Sequence, residues 1–254
     1  MGSYAEGVQV ERSWEWPPGY RIGSCLAPLL IGAVTASLVV PAVAAFDLVL
    51  GLPPRQVTDF FSIFFSMTIA VAAFFWSVVL IVPAIHWMLL LGIRFDGIAR
   101  PGWSLISFGL RNGLHAMAEA VALPVIRNTW LIVIYFRLMG AQVGPHCYIG
   151  TTKISEPQLV TIGRGVFLGH NVTITGHLAE RGGVQYAPVR IEDGASVGND
   201  VSIMPGCLLE QRVTVAASTF VPKGRVLGQG RLYAGIPAKE VLPPNPNTDG
   251  RIAT

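Results

Sequence analysis

The hydrophobic and polar positions divide the chain into two parts with different patterns. Two apolar runs, at residues 22–46 and 60–93, contain no Asp, Glu, Lys or Arg. A bilayer core of about 30 Å needs about 20 apolar helical residues, so each run is long enough to cross a membrane. The connector at 51–56 is short and rich in Gly and Pro. It predicts that the two runs form an antiparallel transmembrane α-helical hairpin.

The carboxy-terminal part follows a period of six residues. Every sixth residue from Ile191 is aliphatic until a tyrosine ends the series, and the same spacing occurs upstream from Ile162 to Ile174. The downstream members are Ile191, Val197, Ile203, Leu209, Val215, Val221, Leu227 and Tyr233. Small or β-branched residues stand four positions after the first five, at Ala195, Val201, Cys207, Val213 and Thr219. Neither helices nor alternating strands have this period, so the repeats are predicted to stack into a solenoid.

The six-residue period is interrupted between Thr175 and Arg190, where residues 176–183 intervene. An interruption in a regular solenoid indicates a loop that leaves one edge of the stack. Such loops tend to carry function, because the regular coils supply the scaffold. We therefore look for the chemistry of this part in the interruption.

Residues 103–139 join the two parts and have a mixed pattern. A weak helical stretch ends before Pro124, and a second apolar stretch follows at 131–136. We predict one or two interfacial helices that lie on the membrane, with buried connector helices as the alternative. The predicted organisation is an N-terminal segment (1–21), a transmembrane hairpin (22–100), connector helices (101–140), a solenoid (141–242) and a tail (243–254).

The composition agrees with a chain that is partly a membrane protein. Of the 254 residues, 52% are hydrophobic and 13% are charged, whereas roughly 25% of an average soluble domain is charged. The deficit is local, because only Asp47, Arg55 and Asp59 are charged between residues 22 and 93. The net charge of +3 argues against a nucleic-acid-binding protein. The excess of apolar residues excludes an intrinsically disordered chain, and three cysteines that are far apart in sequence exclude a disulfide scaffold.

Basic residues near the hairpin predict its orientation. Arg12 and Arg21 precede it, Arg94, Arg100 and Arg111 follow it, and Arg55 alone lies in its connector. Because short cytoplasmic flanks carry an excess of Lys and Arg, both ends of the hairpin are predicted to face the cytoplasm. The odd number of cysteines agrees with a reducing compartment. We expect an integral membrane protein whose solenoid faces the cytoplasm.

Motifs around the interruption resemble those of maltose and galactoside O-acetyltransferases. They are Thr175-Gly176-His177, Pro188-Val189-Arg190-Ile191 and Ala234-Gly235-Ile236-Pro237-Ala238-Lys239. The repeats also resemble the hexapeptide repeats of acyltransferases, which implies a left-handed parallel β-helix. The resemblance further implies that the loop histidine, His177, is the general base. It implies that Gly235, Ala238 and Lys239 lie along the pantetheine and phosphates of coenzyme A or of a phosphopantetheine arm.

A longer resemblance includes the membrane part. It is carried by Trp87–Gly92, Arg100–Leu105, Tyr135–Ala141, Ile154–Gly163 and His177–Arg181. These segments are similar to the membrane-embedded C-terminal domains of ε-poly-L-lysine-synthetase-type nonribosomal peptide synthetases. In that family three β-helix units, interleaved with transmembrane helices, follow adenylation and thiolation domains and are implicated in isopeptide formation. The present chain contains one such unit, so we expect a homotrimer and a donor supplied by an adenylation or carrier protein in trans.

Acyl transfer from a thioester requires that the attacking amine or hydroxyl lose a proton, and a neutral imidazole is suited to accept it. We predict His177 as this base, Glu180 as the partner of its second ring nitrogen, and Arg181 as a ligand for an anionic group. Asn171, at a repeat corner, is a candidate donor to the carbonyl oxygen. For Glu180, Arg181 and Asn171, an ordinary solvated surface residue is the alternative.

The other two histidines of the solenoid, His146 and His170, fall at repeat corners and are expected to be exposed. Their spacing with His177 does not match the zinc ligands of γ-carbonic anhydrases, so no metal site is predicted.

Three functions follow from these patterns. The first is a membrane-bound acyl- or aminoacyltransferase that forms an amide bond, with acyl-coenzyme A or a phosphopantetheine-bound thioester as donor. The second is a coenzyme-A-dependent O- or N-acetyltransferase that acts on a saccharide or lipid-linked acceptor. The third is a non-catalytic membrane scaffold. In each case the expected partners are membrane lipid and further copies of the chain, and no nucleic acid.

Overall fold

The computed structural model describes residues 33, 37–49, 51, 60–93, 95, 103–180 and 183–241. Its helices are α1 (Ser37–Val49), α2 (Phe60–Leu90), α3 (Trp103–Val121), α4 (Leu123–Ile126) and α5 (Trp130–Leu138). A 3-10 turn spans Pro157–Leu159. Most of the first predicted apolar run, at 22–46, lies outside the described residues, as do the connector at 52–59 and the tail at 243–254.

Short strands make up the carboxy-terminal part. They are β1 (Gln142–Val143), β2 (Tyr148–Ile149), β3 (Val160–Ile162), β4 (Phe167–Leu168), β5 (Thr173–Ile174), β6 (His177–Glu180), β7 (Gly183–Tyr186), β8 (Val189–Ile191), β9 (Ser196–Val197), β10 (Ser202–Ile203), β11 (Leu208–Leu209), β12 (Thr214–Val215), β13 (Phe220–Val221), β14 (Val226–Leu227), β15 (Leu232–Ala234) and β16 (Lys239–Glu240).

All of these strands except β6 and β7 form three sheets whose pairs are parallel, apart from β16, which runs antiparallel to β15. The sheet orders are β1-β3-β8-β11-β14, β13-β10-β5 and β16-β15-β12-β9-β4-β2. The chain visits the three sheets in turn, so strands eighteen residues apart become neighbours: Ile191 pairs with Leu209, and Leu209 pairs with Leu227. Three periods of six residues therefore make one coil, and the solenoid predicted from the sequence is confirmed.

The side chains of the six-residue series form the interior of the solenoid. All eight downstream members are at most 6% exposed, and the small or β-branched residues between them are at most 1% exposed. The first coil contains an inward residue that the period does not predict. Ile154 is fully buried although it lies five residues after Ile149 and eight before Ile162. The period is irregular there because the 3-10 turn adds residues between Ile154 and β3.

The connector helices pack against the first coil of the solenoid. Ile132, Tyr135 and Phe136 of α5 are fully buried, and they belong to one apolar core that continues from α2 into the strands. The inner side of α5 is therefore buried, as expected for the alternative of buried connector helices. The outward side carries exposed apolar residues such as Trp130 and Leu138, and its placement on a membrane stays a prediction.

Helix α2 is buried on one side only. Val78, Val79 and Val82 face the core. The rest of the helix exposes large apolar residues, namely Ile63, Phe64, Phe65, Met67, Val71, Trp76, Leu80, Trp87 and Met88. Within the described residues, Ile63–Leu90 is the one helix long and apolar enough to cross a membrane. The structure thus contains a candidate for the second span of the predicted hairpin, while the hairpin itself stays a prediction.

The interruption in the period is an antiparallel hairpin. Strands β6 and β7 pair with His177 opposite Tyr186, and the Ala187 amide donates to the Gly176 carbonyl to close its base. Val184 and Tyr186 pack on Phe95, Leu105 and Phe108. The predicted loop therefore exists, and it folds back on the α3 region.

Candidate active site

His177 stands at the first position of the hairpin and meets a buried carboxylate. Its Nδ1 atom lies 2.8 Å from Oε1 of Glu156, whose side chain is 1% exposed, while the His177 side chain keeps 22% of its surface exposed. The distance is that of an ion pair, although the direction of approach is not that of a well-aligned hydrogen bond. The second carboxylate oxygen accepts a hydrogen bond of 3.0 Å from the Gly176 amide. Both Glu156 oxygens are therefore directed at the start of the hairpin.

The glycine before His177 permits this close approach. A Cβ atom on Gly176 would lie 3.0 Å from Cβ of Glu156 and 3.1 Å from a methyl group of Leu159. Contacts of that length are tighter than ordinary packing allows, so a larger residue would push the 3-10 turn away from the hairpin. The Thr-Gly-His motif thus has a local steric reason in this chain.

Aromatic rings cover the buried side of the imidazole. The Phe108 ring meets the His177 ring edge to face, with 4.8 Å between centroids, and Tyr186 lies 6.3 Å from Phe108 and 5.1 Å from Phe95. Burial raises the pKa of the Tyr186 hydroxyl, so the phenol stays protonated and can act as a hydrogen-bond donor. The site combines an apolar wall with a few polar atoms.

This arrangement fits a general base. With the carboxylate of Glu156 beside Nδ1, the neutral tautomer that carries its proton on Nδ1 is favoured, and Nε2 is left as the basic nitrogen. The same logic, in which an acid orients an imidazole, operates in hydrolytic triads. His177 can therefore take a proton from a nucleophile that enters through its exposed side.

The partner that the sequence suggested for His177 was Glu180, and the structure brings Glu156 to the imidazole instead. Glu180 pairs with Gly183 at the far end of the hairpin. Its side chain, like all of Arg181, lies outside the described parts of the chain, so the roles of both residues stay predictions. Sequence reasoning missed Glu156 because it precedes the interruption by twenty residues. The usable signal was the irregular spacing between Ile154 and Ile162, which marks an extra turn.

Asn171 lies at a corner between the second and third sides of a coil. Its backbone is left-handed, with φ of 59°, and its Nδ2 donates a hydrogen bond of 2.6 Å to Asp200 on the next coil. The amide thus has a structural partner already. A role toward a substrate carbonyl stays a prediction, and the structure brings Asn171 no contact with His177.

The three predicted anion ligands lie in the last coil. The Gly235 amide donates to the Thr219 hydroxyl at 3.3 Å, and the Ala238 amide donates to the Phe220 carbonyl at 2.8 Å. Both amides are therefore engaged within the solenoid. Lys239, in the exposed strand β16, remains as the group of this set that could meet a phosphate.

The remaining histidines of the solenoid are where the sequence predicted them. His146 and His170 are exposed at corners, and His170 Nδ1 lies 3.1 Å from an Arg127 nitrogen. Among the described residues, no group of three or more His, Cys, Asp or Glu side chains could hold a metal ion.

Comparisons with known proteins found similar solved structures and a curated relative. No family model matches it. A solved hexapeptide-repeat-containing acetyltransferase of Vibrio cholerae is similar over 58% of this chain and 96% of that one, with 17% identity and a TM-score of 0.42. A galactoside acetyltransferase in complex with coenzyme A is similar over 57% of this chain and 84% of that one, with 18% identity and a TM-score of 0.39.

The curated relative is a delta-poly-L-ornithine synthetase of Acinetobacter baumannii. It is 26% identical over 117 residues, which make up 46% of this chain and 9% of the synthetase. The chain therefore matches only about a tenth of that protein's length. The resemblance that the sequence indicated, to synthetases of the ε-poly-L-lysine-synthetase type, is confirmed as weak homology.

Proposed function

We propose that this chain is a membrane-bound acyl- or aminoacyltransferase that forms an amide bond from a thioester donor, with His177 as the general base. The observation that carries the proposal is the contact between His177 Nδ1 and the buried Glu156 carboxylate at the base of the hairpin. The weak homology to a poly-ornithine synthetase, an enzyme whose name describes amide formation between amino acids, supports the same chemistry.

In the proposed reaction an amine attacks the thioester carbonyl. The N–C bond forms while Nε2 of His177 takes a proton from the amine, and the C–S bond then breaks. His177 passes the proton to the departing sulfur, so the imidazole returns to its neutral form. Glu156 stabilises the imidazolium that exists between these two steps.

The site is proposed to lie at the cytoplasmic face of a membrane. The support is the exposed apolar side of α2, which is much larger than the scattered apolar residues that soluble surfaces carry. We further propose a left-handed winding of the solenoid and a homotrimeric assembly. The six-residue period supports the winding. A monomeric mass in mild detergent would contradict the trimer.

The donor is proposed to carry a phosphopantetheine arm, either in coenzyme A or on a carrier protein in trans. Lys239 in the exposed last coil supports a phosphate-bearing donor of either kind. Retention of the protein on coenzyme A resin, compared with its retention on an immobilised, loaded carrier protein, separates the two donors.

The replacement His177→Ala tests the catalytic proposal. A general base contributes roughly 10²–10⁴-fold to rate, so product formation by membranes that contain this variant should fall by that factor. The control is His170→Ala, which removes an exposed corner histidine and should leave the rate unchanged. If the His177 variant forms product at the wild-type rate, His177 has no role as a base.

A further inference from the structure

A second group of polar side chains is buried between α2, α3 and the hairpin. Arg111 is 4% exposed and His86 is 1% exposed. In the part of the chain that the structure describes, Nη2 of Arg111, both ring nitrogens of His86, the Gln158 amide and the Tyr186 hydroxyl make no hydrogen bond of good geometry. Within the group, the Tyr186 hydroxyl approaches Arg111 and the His86 ring approaches Gln158. Most buried polar atoms in native proteins make well-aligned hydrogen bonds, so these groups keep donor capacity for a ligand.

The guanidinium group of Arg111 is held in place from one side. Its Nε donates to the Ser107 hydroxyl at 3.3 Å, and that hydroxyl donates to the Leu89 carbonyl at 2.5 Å. The Phe95 ring centroid lies 5.8 Å from the guanidinium carbon. Among the described residues, no carboxylate lies within ion-pair distance of Arg111. A buried cation is stabilised by a counter-charge, and within the described residues an external anion would supply one.

Tyr186 and His86 lie near Arg111, and Gln158 is reached through His86. Tyr186, whose hydroxyl faces the guanidinium group, stands opposite His177 in the hairpin. Gln158 faces His86 and lies two residues after Glu156 in the same turn. Glu156 is the carboxylate at the border of the group, and both its oxygens are engaged by the start of the hairpin.

The chemistry of these groups points to an oxyanion. A guanidinium group, an imidazole N–H, an amide N–H and a phenol O–H are all donors. Arginine pairs with planar oxyanions through two parallel hydrogen bonds. We propose that Arg111, together with His86, Gln158 and Tyr186, binds a carboxylate or phosphate group of the acceptor beside His177. This inference rests on the proposed acyl transfer, since it assigns the acceptor its binding site.

The test measures binding without turnover, on the full chain in mild detergent. The probes are glycine, its uncharged analogue glycinamide, inorganic phosphate and glycerol 3-phosphate, each titrated while the thermal unfolding midpoint is recorded. Preferential stabilisation by glycine over glycinamide identifies a carboxylate as the ligand. Preferential stabilisation by the two phosphates identifies a phosphate group. In Arg111→Met the apparent affinity for the effective probe should fall at least tenfold, while Arg190→Met, which removes an exposed arginine of β8, should bind as the wild type does.

Three further variants make the outcome unambiguous. Arg111→Lys should retain part of the binding. Tyr186→Phe, which removes one hydroxyl, should weaken binding severalfold, and it tests the inference if Arg111→Met does not fold. His177→Ala should bind the probes normally, so loss of transfer with retained binding separates this inference from the proposed function. If no oxyanion raises the wild-type midpoint, or if Tyr186→Phe and the folded Arg111 variants all bind as the wild type does, the group holds only water and the inference is wrong.

Discussion

Glu156 determines which nitrogen of His177 can act as a base. Its carboxylate is almost completely buried and has one oxygen on the imidazole and one on the Gly176 amide. A charged group so deeply buried is stabilised only by such partners. The pair is therefore both a structural link between the turn and the hairpin and the electrostatic element of the proposed site.

Replacing Glu156 with Gln tests this role. The amide can still accept from Gly176, but it carries no charge to stabilise the imidazolium, so the transfer rate should fall by at least about tenfold with little change in acceptor KM. Glu180→Gln is the matched control, because Glu180 is the partner that the sequence alone suggested. Steady-state rates for both variants decide between the two residues. A larger loss in the Glu180 variant would reject the assignment of Glu156.

His115 is a second histidine with a defined state, inside the connector helices. Its Nδ1 lies 3.2 Å from the Tyr135 hydroxyl and its Nε2 lies 3.2 Å from the Thr152 carbonyl. Burial lowers the pKa of His115 and raises the pKa of Tyr135. A neutral imidazole that accepts from Tyr135 and donates to the Thr152 carbonyl satisfies both contacts.

The stability of the folded chain should therefore fall at mildly acidic pH. The unfolded state gains a proton on His115 near pH 6.5 while the folded state does not, so stability is complete above that pH and is lost as the pH decreases below it. The slope contributed by His115 is at most about 1.4 kcal/mol per pH unit. Denaturant unfolding in mild detergent at pH 7.5, 6.5 and 5.5 measures it. His115→Gln should flatten the dependence and His170→Ala should not; equal slopes in all three proteins would contradict it.

Among the structural elements, the solenoid was predicted most completely, because its inward residues follow a six-residue period. The period identifies each inward residue from Ile162 to Tyr233 except where the hairpin intervenes, because each repeat buries its aliphatic side chain against the same positions of neighbouring coils. The first coil was harder to predict, since the 3-10 turn shifts Ile154 out of the period. Glu156 lies in the same irregular stretch, and its contact with His177 joins residues that are far apart along the chain. For both reasons the six-residue period did not predict it.

The stacking of the coils explains why glycines follow inward aliphatic residues. A Cβ atom on Gly198 would lie 2.6 Å from the backbone nitrogen of Ala217 on the next coil, a distance that real Cβ atoms do not reach. The structure shows that contact between successive coils is the constraint.

We expect Gly198→Ala to destabilise the solenoid by about 1–3 kcal/mol, because successive coils must separate to admit the methyl group. The matched control is Gly109→Ala in α3, where a Cβ atom would meet nothing within 4 Å. An interior helical glycine is less stable than alanine by roughly 0.5–1 kcal/mol, so this variant should be more stable than the wild type. Unfolding in mild detergent compares the two, and a neutral Gly198 variant would show that the coils can adjust.

The helices and the solenoid share one apolar core. Helix α5 closes the first coil, α2 packs on α5, and Trp87 of α2 donates a hydrogen bond of 2.7 Å to the Leu138 carbonyl. The proposed site therefore has a fixed position relative to α2. If α2 crosses a membrane, the hairpin with His177 must lie close to that membrane, which favours acceptors that reach the site from the membrane surface.

The flanking charges predict on which side of a membrane the solenoid lies, and this prediction can be measured. Single cysteines at Lys239, in the last coil, and at Gln56, in the predicted hairpin connector, are placed in a chain whose Cys25 and Cys147 are serine. Cys207 can remain, because it is buried and burial raises the pKa of its thiol, which keeps it unreactive.

A membrane-impermeant maleimide applied to intact cells should label the cysteine at position 56 and not the one at 239. The reason is that the positive-inside rule places both ends of the predicted transmembrane hairpin in the cytoplasm. After the cells are permeabilised, the cysteine at 239 should react as well. Labelling at 239 in intact cells would reverse the orientation. It would place the transfer site outside the cytoplasm, where neither coenzyme A nor a cytoplasmic carrier protein could supply the donor.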